Sequence, residues 1–411
     1  MNDLLFSPAQ LATAKFTPRP YQTGAINAAV NFFQGSTKQH GLVILPTGSG
    51  KSIVIANIAK ELEGNTIVFQ PSKEILEQNY AKFISYGYRA AMYSASAGKK
   101  NIDKVTFATI GSVANKPHLF KDYKNIIVDE CHLVNAKTKT VKLDDGSEIQ
   151  KGGMYNDFFS AIEDCKIVGL TATPYRLSSD SEGAMLKFLT RTRPKIFSDV
   201  LYCVQTKTLF DAGYLAKLEY FSFNTIDRKM LSLNSTGSDF TEASVKAYYR
   251  KINFPKVTAY WANRIITKRK NLLIFSTMIS EAEQAARLIP GAVVLTGKTE
   301  ARQRERILSD FKHGRIQVLV NVGVLTTGFD FPGLEAVLIA RSTMSLALYY
   351  QIVGRAMRPH LGKESAWIVD LGGNINFFGK IETLNVTRNN KGLWIVTNNG
   401  RQLTNVNFTK Y

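Results

Sequence analysis

Apolar positions along the chain fall into two kinds of run that alternate. Short stretches are apolar nearly throughout, as in GLVIL at 41–45, TIVF at 66–69, NIIVD at 125–129 and KIVGL at 166–170. Between them lie longer stretches with apolar residues on one helical face, as in KSIVIANIAKELEG and SKEILEQNYAKFISYG. Strands that are apolar on both faces, each followed by an amphipathic helix, predict a parallel sheet covered on both sides. The pattern weakens over RPKIFSDVLYCVQTKTLFDAGYLAKLEYFSFN and resumes with NLLIFS, AVVLTG, IQVLVNVGVL, EAVLIA and SAWIVDLGG. After Gly373, strict alternation around two Asn/Gly turns predicts a small β-meander.

The expected organisation is therefore α/β: a first domain over 1–195, a crossing region over 196–239, a second α/β domain over 240–373 and a β-rich extension over 374–411. One insertion, KTKTVKLDDGSEIQKGG at 137–153, separates two strands of the first sheet and reads as a β-hairpin turning at DDGS. It is long for such a connection. A solvated surface hairpin and a nucleic-acid contact are both open readings of it.

Charge adds a partner class. The 52 Lys+Arg against 33 Asp+Glu give a net charge of +19, which points to a polyanion. Cys131, Cys165 and Cys203 are scattered with no C-x-x-C, which argues against a disulfide framework and a structural zinc site. The start MNDLLFSPAQ has no secretory pattern, and no apolar run approaches the roughly 18–20 residues of a membrane span. A cytoplasmic setting is expected.

Candidate chemistry begins at LPTGSGKS, 45–52. It fits the G-x-x-x-x-G-K-[ST] phosphate loop except that Leu45 stands at the first glycine. Backbone N–H groups of Thr47, Gly48, Ser49 and Gly50, feeding a helix N-terminus, would cradle phosphate; Lys51 would reach the β/γ-phosphates and Ser52 would ligate Mg²⁺. By itself the stretch also reads as a Gly/Ser turn. In IIVDECH, adjacent acids end a buried strand, which is costly unless a cation or proton explains them. Asp129 suits metal holding, and Glu130 suits orienting or deprotonating a water. YYQIVGRAMRP, 349–359, offers Arg355 and Arg358 three apart, on one face if helical. Such arginines contribute roughly 10³–10⁵ in rate at phosphoryl-transfer sites. Their place in the second domain implies a site completed by closure of the interdomain cleft.

The ordered set RPYQTGAI, LPTGSGKS, FQPSKEILEQ, FATIGSV, DECH, TATPYR, VLTGKT, NVGVLTTGFDFP and QIVGRAMRP resembles the superfamily 2 helicases and translocases, from Arg19 to about Gly373. The resemblance implies two RecA-like motor domains in tandem and accepts the Leu45 entry, since that family's loop is commonly x-x-T-G-x-G-K-[ST]. It implies that Gln22, with Arg19, reads adenine; that Lys51, Ser52, Asp129 and Glu130 handle phosphate, Mg²⁺ and water; and that Thr171 and Thr173 couple hydrolysis to movement. It further implies that Gly328 and Asp330 link ribose and nucleic-acid backbone, and that Gln351, Arg355 and Arg358 complete the ATP site. Pro71, Ser72, Thr109, Ser112, Thr296, Gly297 and Thr326 fall where the family grips nucleic acid, although Ser/Thr/Gly loops are also ordinary turns.

Within the superfamily, DECH, QIVGRAMRP and IVDLGGNINFFG are similar to RadD-type repair helicases, restriction-enzyme motor subunits and phage UvsW-like branch-migration helicases. RadD-like proteins carry a cysteine-rich zinc module after the second motor domain, whereas this sequence has no cysteine after Gly373. The compact motor fits a phage or bacterial enzyme. The resulting expectation is an ATP- and Mg²⁺-dependent helicase or translocase on single-stranded, forked or branched DNA, with a nuclease or repair protein as partner. An RNA helicase, a duplex translocase serving a separate nuclease, and a non-catalytic scaffold are the competing readings. Gln351 where many RNA helicases have His, and DECH rather than DEAD, favour DNA. Intact Lys51, Asp129, Glu130 and Arg355 argue against a scaffold.

Overall fold

The structure is a computed structural model that describes residues 17–37, 39–135, 139–142, 148–151, 153–180, 183–223, 225–235, 237–326 and 328–407, with backbone only at 139–142, 148–151, 179–180 and 183. Two compact units divide it. The first takes the described residues up to Pro174 together with Phe188–Val204; the second takes Tyr175–Lys187 and the chain from Gln205 onward.

The first unit is built on an eight-stranded sheet in the order Asp199–Cys203, Gly41–Ile44, Lys166–Thr171, Asn125–Asp129, Thr66–Phe69, Val105–Ala108, Ala91–Ser94, Lys99–Lys100. All neighbours are parallel except the short last strand. The strands Gly41–Ile44, Thr66–Phe69 and Val105–Ala108 are buried at every position, as expected for a sheet covered on both faces. Burying each such Val, Leu, Ile or Phe contributes about 1.5–3 kcal/mol. The order matters for function. Ile44 pairs with Thr171, and Asp129 pairs with Leu170, so three adjacent central strands end side by side. Their following loops are LPTGSGKS, DECH and TATP, brought to one sheet edge from separate parts of the sequence.

The second unit has a six-stranded, wholly parallel sheet in the order Lys217–Ser222, Ser365–Asp370, Ala336–Ala340, Leu272–Ser276, Val318–Val322, Val293–Thr296. Leu272, Ile274, Val318, Val320 and Leu338 share a core with Phe254, Ala259 and Ala262 of the helix Phe254–Ile265. The two parallel-sheet units are RecA-like. The predicted β-meander is present as the antiparallel sheet Leu384–Arg388, Trp394–Asn398, Arg401–Gln402. Its second turn is Asn399-Gly400 with φ of +47° and +79°, the positive pair that a two-residue hairpin of matching twist requires.

The chain crosses between the units at places the hydrophobic pattern did not mark. The sequence boundary put everything to residue 195 in the first domain, yet the hairpin Tyr175–Asp180/Gly183–Phe188 belongs, through Lys187, to the second unit. There Met185 bridges Asn407, and the Asn405 N–H donates to the Leu186 carbonyl at 2.6 Å. The stretch read as a crossing region over 196–239 is divided: Asp199–Cys203 is the edge strand of the first sheet and Lys217–Ser222 the edge strand of the second. The insertion forms an antiparallel pair, Lys139–Lys142 with Glu148–Lys151; its DDGS turn lies outside the described residues. Among the described residues no helix is long and apolar enough to cross a membrane.

Asn398 ties the meander to the preceding helix. Its Nδ2 donates to the carbonyls of Phe378 at 2.7 Å and Lys380 at 3.0 Å, and its Oδ1 accepts from the Thr383 hydroxyl at 2.6 Å. Asn398→Ala strands the buried Phe378 carbonyl and removes two part-buried bonds, and is expected to cost roughly 1–3 kcal/mol. Chemical denaturation followed by tryptophan fluorescence checks this, since Trp261, Trp367 and Trp394 all lie in the second unit, with a lowered midpoint as the expected outcome.

Candidate nucleotide site

In the first unit the phosphate loop is held from below. Gly48 and Gly50 take φ of +83° and +79°, and Gly50 is the N-cap of the helix Lys51–Glu61. The Ser49 N–H donates to the Pro46 carbonyl at 3.1 Å, closing the turn that Pro46-Thr47 enters without a first glycine. The Ser49 carbonyl in turn accepts from Gln22 Nε2 at 2.7 Å and from the Tyr21 hydroxyl at 2.8 Å. Gln22 Oε1 accepts the Arg19 N–H at 2.8 Å. Gln22 is thus buried, with its amide clamped between the helix start and the loop. The Ser49 hydroxyl is buried with no hydrogen-bond partner among the described residues.

At the neighbouring strand end, Asp129 is 5% exposed and Glu130 has φ of +47°. Lys51 Nζ lies 3.2 Å from Glu130 Oε1, and His132 Nδ1 lies 3.3 Å from Glu130 Oε2. Burial alone would raise the Glu130 carboxyl, but the Lys51 ammonium and the His132 imidazole outweigh it and hold the group below the ordinary carboxylate range. Asp129 goes the other way. Burial and the Glu130 charge push it up to about 7, against weaker help from Lys51, the Glu130 N–H at 2.9 Å and Asn79 Nδ2 at 3.5 Å. Lys51 therefore pairs directly with Glu130, and among the described residues it acts on Asp129 only at longer range.

The same His132 Nδ1 faces Thr171 Oγ1 at 3.0 Å, and Thr171 Oγ1 accepts from the Thr173 N–H at 3.0 Å. Glu130, His132, Thr171 and Thr173 form one buried polar chain between the DECH and TAT loops. His132, Asn79 and Tyr21 were not singled out in the sequence. His132 had a signal in its spacing two residues after Glu130; Asn79 and Tyr21 lie inside helices with no pattern to mark them.

In the second unit, Arg355 donates to the carbonyls of Thr326 and Phe329, each at 2.6 Å, and Arg358 is paired with Asp330. Gly328, with φ of +73°, forms part of the loop between them. The expectation of two arginines on one helical face is corrected here. The helix Leu346–Gly354 carries Gln351 but ends before Arg358, and the two arginines converge instead on the 326–330 loop. Lys363, also unmarked by the sequence, fixes the segment by donating to the carbonyls of Ala356 at 2.8 Å and Arg358 at 2.9 Å; burial pushes it down to about 8.

Residues 15–176 match the family described as the type III restriction enzyme res subunit, and residues 258–360 match the helicase conserved C-terminal domain. The two matches, in this order along the chain, support a helicase of superfamily 2. Similar proteins include a 51.5 kDa protein of a Lactococcus phage, 27% identical over 79% of this chain and 64% of its own length. The ATP-dependent DNA helicase uvsW of Enterobacteria phage T4 is 21% identical over 87% of this chain and 68% of its own. Among solved structures, the ATP-dependent Type ISP restriction-modification enzyme LlaBIII bound to DNA superposes with a TM-score of 0.59 at 15% identity, covering 86% of this chain and 27% of that one. The chain spans 51–64% of the length of three curated relatives, the Lactococcus phage protein among them.

The superfamily's expected nucleic-acid positions are seen here as capped turns. Ser72 caps the helix Lys73–Ser85 by accepting from the Ile75 N–H, and Pro71 precedes it. The Thr109 and Ser112 hydroxyls lie 2.8 Å apart, and Ser112 also accepts from the Ala95 N–H at 2.8 Å. Thr296 accepts from the Lys298 N–H at 3.1 Å, with Gly297 between them.

A Cβ at Gly50 would lie 2.6 Å from Gln22 Nε2, at a φ that L-residues adopt at a cost of about 1–2 kcal/mol. Gly50→Ala is expected to displace Gln22 from the loop, lowering the melting temperature and weakening nucleotide binding in isothermal titration.

Proposed function

We propose that the chain is an ATP-driven DNA motor: a helicase or translocase that couples ATP hydrolysis to movement on, or remodelling of, single-stranded, forked or branched DNA. The observation that carries this reading is the Lys51–Glu130 ion pair beside cation-poor, buried Asp129 at the mouth of the phosphate loop. Arriving ATP phosphates compete for Lys51. As Lys51 turns to them, Glu130 loses the charge that depressed its pKa and becomes a better base toward a water. The donor set fits Mg²⁺, because Asp129 is a buried carboxylate raised by burial and by the Glu130 charge, a condition a cation would relieve, and Ser52 stands in the first turn of the loop helix. Bound Mg²⁺ supplies charge neutralisation at the phosphates; Asp129 and Ser52 are the residues to hold it.

Thr47, Gly48, Ser49 and Gly50 present the loop backbone to phosphate, and the partnerless Ser49 hydroxyl supports that role. Gln22, with Arg19, is the proposed adenine reader. Arg355 and Arg358, with Gln351, are the proposed transition-state groups of the second unit, and Gly328 and Asp330 the ribose and coupling positions. The Glu130–His132–Thr171–Thr173 chain is the proposed route by which loss of the γ-phosphate is felt at the TAT loop. The hydroxyl-bearing turns at Ser72, Thr109, Ser112 and Thr296, with Pro71, Gly297 and Thr326, are the proposed grips on the phosphate backbone. Backbone grip implies low sequence preference and strong salt dependence. The DNA-helicase name of uvsW supports DNA over RNA. The +19 charge supports a polyanionic partner in either case.

Phosphate release from ATP, measured without nucleic acid and with single-stranded, duplex and branched DNA and single-stranded RNA, tests the proposal. Stimulation by DNA, abolished in Lys51→Ala with the fold retained by circular dichroism, is expected. Stimulation by RNA alone, or undiminished turnover in Lys51→Ala, would overturn it. Arg358→Ala should reduce kcat by at least roughly 10²-fold with little change in nucleotide affinity, the signature of a group acting in the transition state.

A further inference from the structure

Beside the edge strand Lys217–Ser222 of the second unit lies a cavity of about 530 Å³, within the roughly 300–1,000 Å³ of small-ligand sites. Its walls come from that strand, its neighbour Ser365–Asp370 and the helix Phe254–Ile265. None of the lining residues lies in the 326–330 loop or the 351–358 segment.

Register explains the lining. Phe221 pairs with Val369 and Glu219 with Trp367, so Phe221, Trp367 and Val369 share one face of the sheet. An edge strand has no further strand beyond it, and its face is covered from one side only. Phe221 and Trp367 meet edge to face at 5.0 Å, Phe223 stacks on Trp261 at 3.7 Å, and Tyr260 meets Trp261 at 5.4 Å. Tyr260 is 54% exposed despite its size. The charged groups of the lining are Arg264 and Lys268, both exposed, and no acid lines the cavity. Arg264 donates to the Tyr260 hydroxyl at 2.9 Å, one helical turn away, which sets the cation at the rim of the ring cluster.

Five rings with cations at the rim call for a flat apolar group carrying negative charge. That is the chemistry of a nucleotide unit, whose base stacks on aromatic side chains while its phosphate meets Arg or Lys. We propose that this cavity is a stacking site for an unpaired base of single-stranded nucleic acid, a contact additional to the backbone grips of the motif loops. The proposal rests on the motor reading for its polyanion, but the site's chemistry is read from its own residues.

Two of the three tryptophans, Trp261 and Trp367, line the cavity, and the third, Trp394, is in the C-terminal sheet. Trp394→Phe therefore leaves a chain whose tryptophan emission reports the cavity. Titrated without ATP, this protein should be quenched by short oligothymidylate and hardly at all by an abasic strand of the same length. At exposed positions, Tyr260→Ala should weaken the quenching titration roughly tenfold, the scale of one lost base stack, and Lys268→Glu should weaken it by reversing a rim charge. Lys51→Ala should leave it unchanged, so that failure of the ATPase reading and failure of this site are told apart. Equal quenching by the abasic strand, equal quenching by thymidine monophosphate at matched base concentration, or titrations unaltered in both cavity variants would each overturn the proposal.

Discussion

Two carboxylates at the end of one buried strand share a single lysine, and most of the first unit is arranged around that shortage. Lys51 is fixed because Gly50 starts its helix in a left-handed conformation and because Gln22 and Tyr21 hold the Ser49 carbonyl beneath. Glu130 is fixed by its own positive φ and by His132. The result is an acid pair pushed apart in pKa: Lys51 and His132 hold Glu130 down, while burial and the Glu130 charge drive Asp129 up against weaker help from the same lysine. A site in that condition has a defined response to anything that brings both phosphate and a divalent cation: the lysine leaves Glu130 and the orphaned aspartate gains a partner.

The second unit keeps its cations in a comparable state of engagement. Arg355 closes the Thr326–Asp330 loop through two backbone carbonyls, and Arg358 is held by Asp330 in that loop. Neither arginine is a loose surface group. Each has local contacts to exchange, so a charged ligand that drew them away would also reshape the loop that carries Thr326, a proposed grip on nucleic acid.

Much of this was legible in the sequence because its signals are local. Strands buried on both faces read as unbroken apolar runs, the loop glycines mark positive φ, and adjacent acids after IIV are too costly to be accidental. The alternation after Gly373 gave the meander, with Asn399-Gly400 marking its turn. What stayed hidden depends on long-range contact. Nothing in YRLSSD at 175–180 says that this hairpin sits with Asn405 and Asn407 rather than with the sheet it follows. The strand at 217–222 reads only as a weak one within a crossing region because, at a sheet edge, its burial is incomplete. That same incompleteness leaves Phe221 only half-buried, on the wall of the aromatic cavity. Gln22 was placed by its motif, but its clamp on Ser49 joins residues 27 apart and has no sequence mark. The helical spacing of Arg355 and Arg358 misled because the helix stops at Gly354.

The central claim is that Lys51 is contested between Glu130 and the phosphates of ATP. Equilibrium ATP binding and single-turnover hydrolysis in Glu130→Gln test it most directly. With the competing carboxylate neutralised, ATP should bind at least as tightly as to the unaltered chain while hydrolysis is lost. A clear loss of ATP affinity, or hydrolysis at an undiminished rate, would contradict it.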